Sequence, residues 1–157
     1  MGQFPLSTKG LRVVEFIDEC ADEAELREAI DTLRGANISV AYVDCAKYID
    51  KPEELRNAIG YAAGTDNPPY DGETPLRWVR WWDDLYSLGE RSPGLIVVLD
   101  NSHLLFDAHR KVMTDLLEWF LFALKPWFNR GVPYGICFQM VPCAALRAAI
   151  GNSQNET

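Results

Sequence analysis

Five consecutive apolar residues, Leu95-Ile96-Val97-Val98-Leu99, run without a polar interruption into Asp100. A strand with one wet face alternates apolar and polar side chains. An unbroken run of this length fits a central parallel strand covered by helices on both faces. That requirement constrains the rest of the chain, because parallel strands need long crossovers, which are usually helical.

The flanking sequence supplies them. Residues 11–17 are rich in β-branched and apolar side chains and read as a strand ending at Asp18. A helix is expected from about Asp22 to Arg34, with Asp22 and Glu25 in a capping-box pattern, Leu26, Ala29, Ile30 and Leu33 at helical spacing, and Gly35 as its cap. Residues 38–43 form a second strand. Asp50, with Pro52 in the first turn, opens a helix whose apolar face is Leu55, Ala58, Ile59 and Ala62 and which stops at Gly64. Residues 65–74 are dense in turn formers, and Thr74-Pro75 starts a helix that runs to Leu88 before Gly89. A long helix is expected from about Asp107 to Phe128, bent or ended by Pro126, then a strand over 134–141 and a short helix over 144–150.

The predicted fold class is α/β: a small, mostly parallel sheet of about four strands flanked by helices. The 157 residues suit one domain over 1–151, with 1–38 as an N-terminal β-α extension and 152–157 as a fraying tail. No apolar stretch is long enough to span a membrane, and residues 1–9 do not resemble a signal peptide, so a cytoplasmic protein is expected. None of the four cysteines, Cys20, Cys45, Cys137 and Cys143, forms a C-x-x-C pair, and all are expected as buried free thiols. His103 and His109 are wrongly spaced for one helical face, so neither a metal nor any cofactor is expected.

The net charge is −8, and it is uneven: residues 1–90 hold 9 basic and 18 acidic side chains, residues 91–157 hold 6 and 5. Without a Lys/Arg cluster this is no surface for a phosphate backbone. Acidic helices have solvated faces, and an acidic surface also suits a basic partner.

Enzymatic motifs are scarce. Leu95–Asp100 is similar to a magnesium-holding strand of a nucleotide-binding site, yet the chain has no G-x-x-x-x-G-K-[ST], no G-x-S-x-G and no G-x-G-x-x-G. Asp18, Asp44 and Asp100 all end predicted strands, where α/β folds place ligands, but aspartate also commonly caps a turn there. Cys45 and His103 are a conceivable nucleophile and base, without local signature. The most unusual segment is 70–86, which carries Tyr70, Trp78, Trp81, Trp82 and Tyr86 beside Asp71, Glu73, Asp83 and Asp84. Trp78, Trp81, Trp82 and Leu85 share a helical face that a core can absorb, with Asp83 toward its edge. Aromatic anchors with acidic neighbours also make binding hot spots.

From Ser39 to Val141 the chain resembles the barstar family of ribonuclease inhibitors and immunity proteins. The resemblance rests on Tyr42-Val-Asp-Cys-x-x-Tyr-Ile-Asp50 leading into Pro52-Glu-Glu-Leu55, a loop with Tyr70, Gly72 and Glu73, and a helix with Trp82-Asp83-x-Leu85. The strand 95–99, Trp127-Phe-Asn-Arg-Gly131 and a final strand follow. It implies a non-enzymatic inhibitor whose acidic loop and helix occlude the active site of a cognate protein toxin, a nuclease by analogy, with no direct contact to nucleic acid or membrane. Asp83 then matches the key inhibitory aspartate, Trp82 its neighbour and Tyr70 the loop tyrosine, with Asp71, Glu73 and Asp84 as supporting charges. Val79 stands where the family has a second helical carboxylate, the loop is longer, and the first 38 residues are additional. The alternative is a regulatory or sensor domain binding a small ligand or metal at the strand carboxyl ends.

Overall fold

A computed structural model describes residues 13–70 and 76–151. The apolar run lies where its composition demands. Strand β3 (Leu95–Asp100) is buried at every position, between β2 (Ser39–Asp44) and β4 (Tyr134–Gln139), with β1 (Val14–Ile17) at the edge beyond β4. All three pairings are parallel: Ser39 lies opposite Leu95, Leu95 opposite Tyr134, and Val14 opposite Ile136.

Side-chain alternation along these strands splits the interior into two layers. Ala41, Val43, Leu95, Val97, Leu99, Ile136 and Phe138 face the larger one, with α2 (Leu55–Ala63), α3 (Leu76–Gly89), α4 (Ser102–Ala108), α5 (Arg110–Phe122) and α6 (Leu124–Arg130). Val40, Tyr42, Ile96, Val98 and Cys137 face the smaller one, closed by α1 (Glu23–Gly35) and by α7 (Ala144–Leu146) with the wide helical turn after it (Arg147–Gly151). In α1 the residues Leu26, Ile30 and Leu33 are fully buried, as their spacing requires.

Several local expectations need correction. The single helix over 107–128 is three helices, broken at His109 and Ala123 and not at Pro126. Pro126 falls in the first turn of α6, where a missing N–H leaves no intrahelical bond unmade. Gly35 is the last residue of α1, and the left-handed conformation falls on Asn37 (φ 63°). Asp22 does cap α1, accepting from the Ala24 and Glu25 amides. Asp50 does not open α2, which is preceded by a short 3-10 turn (Pro52–Glu54). β4 ends at Gln139, two residues early, where the Gln139 carbonyl turns to accept from the Ser102 hydroxyl at 2.9 Å.

The cysteine expectation fails for half of the set. Cys20 and Cys143 form a disulfide, with Cα atoms 5.1 Å apart, while Cys45 and Cys137 are buried free thiols. Parallel pairing of β1 with β4 brings together the loops that leave these strands, across 123 residues of sequence. The Thr74-Pro75 start and the tail 152–157 lie outside the described residues. Among the described residues, no helix is long and apolar enough to cross a membrane.

Candidate interaction site

Helix α3 inserts Trp78, Trp81, Leu85 and Leu88 into the larger core, and Trp81 and Leu85 are completely buried. Trp78 and Trp81 meet edge to face, and the Arg56 guanidinium of α2 lies 4.3 Å from the centre of the Trp78 ring. Burial, and then the nearby Arg77, push the Arg56 guanidinium below its ordinary pKa. α3 approaches α6 so closely that a Cβ on Gly89 would stand 2.5 Å from Trp127 Nε1, which donates to the Leu85 carbonyl. The Arg130 guanidinium seals this end, donating to the Gly89 and Ser92 carbonyls at 2.9 and 2.6 Å.

The two adjacent aspartates of this helix have opposite environments. Asp83 is exposed, whereas Asp84 is 8% exposed and turned inward. Its carboxylate accepts from the Asn67 amide (3.1 Å), from Asn67 Nδ2 (2.8 Å) and from the Tyr70 hydroxyl (2.8 Å). Tyr70 is itself buried; its hydroxyl lies 2.6 Å from Thr65 Oγ and its amide donates to Asn57 Oδ1 at 2.7 Å. Burial pushes the Tyr70 phenol well above its ordinary pKa, and the Asp84 carboxylate adds to that. Gly60 makes room for the ring, since a Cβ there would fall 2.8 Å from Tyr70 Cε2. Asp66 pairs with Arg91 at 3.2 Å on the rim. Residues 65–70 are thus pinned to α2 and α3 from both sides.

The expected binding residues consequently separate. Asp83 stands on the outer side of α3. Trp82 is half-buried and packs against Tyr86 with ring centres 5.5 Å apart. Tyr70 and Asp84 belong to the interior and hold the loop, so their part is positioning. Asp71 and Glu73 lie outside the described residues. The outer stripe of α3 is also less acidic than its sequence suggests. Leu76 (52% exposed) and Val79 (39%) accompany Arg80 and Asp83, and Tyr61 of α2 is exposed at 62%. Helical spacing carried a signal for the Asp84 clamp: Asp84 follows the buried Trp81 by three residues and precedes Leu88 by four.

At the strand ends the side chains are occupied with one another. Asp100 is buried and accepts from the Tyr42 hydroxyl at 2.7 Å and from the Asn101 amide at 2.9 Å. Asp44 accepts from Asn101 Nδ2 and from the Ala46 amide, capping its turn. Burial chiefly raises the Asp100 pKa, against the lowering effect of the Tyr42 and Asn101 donors. Asp18 is exposed and apart from any such bond among the described residues. Cys45 is fully buried and its thiol is pushed far up, the reverse of what activates a nucleophile. No three His, Cys, Asp or Glu side chains among the described residues are placed to hold a metal ion. Compared with known proteins, the chain matches no family model and no curated sequence.

Proposed function

We propose that the chain is a non-enzymatic inhibitor of the barstar-like kind, which binds a protein toxin, a nuclease by analogy, and occludes its active site. The observation that carries the reading is the division of labour on α3: Asp84 holds Asn67 and Tyr70 in place while the adjacent Asp83 is left exposed. A segment such as 65–70, fixed before encounter, loses little conformational freedom on binding, which is how a small interface reaches high affinity. Asp83 supplies the charge for an Arg/Lys-lined cleft, and Leu76, Val79 and the edge of Trp82 supply apolar contact around it. Val79 in place of a second helical carboxylate makes this surface more apolar, and so suits a partner whose basic cleft has an apolar rim.

The strand-end reading is weaker on the same grounds. Asp44, Asp100, Tyr42 and Asn101 bond to one another, which leaves fewer of their hydrogen-bonding positions for a ligand. Co-expression with the product of the adjacent gene tests the proposal directly. Rescue of growth from a toxic neighbour, lost in Asp83→Arg, is the expected result. A neighbour that is not toxic, or a rescue indifferent to Asp83→Arg, removes this reading.

A further inference from the structure

The disulfide joins two connections on the smaller face of the sheet. Cys20 lies between β1 and α1, and Cys143 immediately precedes α7. Its two ends differ in access: Cys20 is exposed, while Cys143 is 4% exposed and packed in the layer formed by α1 and α7. The other two thiols are enclosed, Cys45 at 0% and Cys137 at 1% exposure. We infer that Cys20–Cys143 is a reversible latch, opened by a small dithiol that attacks at Cys20.

Access decides which sulfur of a disulfide is attacked, and exposed disulfides are the labile ones. A thiolate of the dithiol attacks Cys20 Sγ. The S–S bond breaks, and its electron pair leaves on Cys143 Sγ, which takes up a proton. The mixed disulfide on Cys20 is then resolved by the second thiol of the reductant. That thiol closes the reductant's own disulfide and releases the Cys20 thiol. The dithiol gives two electrons and two protons, and the protein gains two thiols.

Opening is local, because the N-terminal unit keeps other anchors. Leu26, Ile30 and Leu33 remain in the core, Gln139 Nε2 donates to the Glu19 carbonyl at 3.0 Å, and Arg27 Nη2 donates to the Ala148 carbonyl at 3.1 Å. The latch therefore governs how tightly the turn before α1 is held to the turn before α7. Helix α3 lies on the opposite face of the sheet and does not feel it.

The test uses the full chain in native buffer, treated with iodoacetamide before and after dithiothreitol and mapped by peptide mass. Before reduction no cysteine should be labelled; afterwards Cys20 and Cys143 should be, with Cys45 and Cys137 protected. Oxidised glutathione should form a mixed disulfide with Cys20 in Cys143→Ser at least tenfold faster than with Cys143 in Cys20→Ser. Hydrogen exchange should quicken on reduction around residues 18–24 and 140–146 and stay unchanged over 76–89. Labelling of Cys20 and Cys143 before reduction overturns the proposal, as does a bond that opens only in denaturant. Equal glutathione rates at the two cysteines, or exchange that quickens equally in α3, overturn it too. None of these readouts involves the toxin partner.

Discussion

Neighbouring aspartates on one helix should respond oppositely to the same substitution. Asp84→Ala removes a buried carboxylate that accepts from the Asn67 amide, Asn67 Nδ2 and the Tyr70 hydroxyl. Hydrogen bonds to a charged acceptor contribute about 1.5–3 kcal/mol each, but these three do not simply add. Asn67 is exposed, so its two donors regain water when the carboxylate is gone. Tyr70 stays buried and keeps only Thr65 as its hydroxyl partner. The net loss is therefore close to one charged hydrogen bond, offset in part by the better helix propensity of alanine, and comes to about 2 kcal/mol. Asp83→Ala lacks the burial and should fall within about 0.5 kcal/mol of the wild type.

Urea denaturation of both variants, followed by tryptophan fluorescence, separates the cases. A lower midpoint with unchanged slope is expected for Asp84→Ala alone. Affinity for the toxin should show the complementary pattern. On the proposed reading, Asp83→Ala should lose about 2–5 kcal/mol of binding, because cations in the partner's cleft would be left buried and unpaired. Asp84→Ala loses less, through a loosened loop. If Asp84→Ala is as stable as the wild type, the buried clamp is refuted. If Asp83→Ala unfolds the chain, the aspartate assigned to the surface is a structural one.

Three further substitutions probe the scaffold. Gly89→Ala drives a Cβ into Trp127, 2.5 Å from its Nε1, and should lower stability by about 1–3 kcal/mol in urea with a change in tryptophan emission; an unchanged midpoint would refute the close packing of α3 on α6. Asp22→Ala removes the α1 cap and should cost about 1 kcal/mol in the same assay; no loss would mean that the cap is idle. The Asp100 carboxyl is held above its unfolded pKa, so ionising it weakens the folded state. The stability that the wild type holds over Asp100→Asn should be greatest below the ordinary carboxylate value and shrink as pH rises through the folded one. Melting both proteins between about pH 4 and pH 7 tests this, and a constant gap would show that Asp100 titrates normally.

The fold was largely legible because its strands announce themselves. An apolar run such as Leu95–Leu99 has few alternatives to a doubly covered strand, and Leu26, Ile30 and Leu33 fix the buried side of α1 by spacing alone. What escaped was decided by contacts distant in sequence. The breaks at His109 and Ala123 have no local breaker, while Pro126 is a breaker placed where it breaks nothing. Cys20 and Cys143 become neighbours only because β1 pairs with β4 and not with β2, and strand order is not encoded in periodicity.

The site was half legible for a related reason. Residue type and sequence proximity group Asp83 with Asp84, but the helix separates them by about 100°. Three residues after Trp81 and four before Leu88, Asp84 lies on the buried side, and a buried carboxylate must find donors or destabilise the fold. Its donors, Asn67 and Tyr70, sit in the stretch before α3 that the sequence marks as a loop dense in turn formers. The inward aspartate thus helps to fix residues 67–70 against α2 and α3. What remains outside is a single carboxylate at 83 on a helix whose neighbours at 76 and 79 are apolar. On the proposed reading, such a surface favours a basic cleft with an apolar rim by shape and local charge.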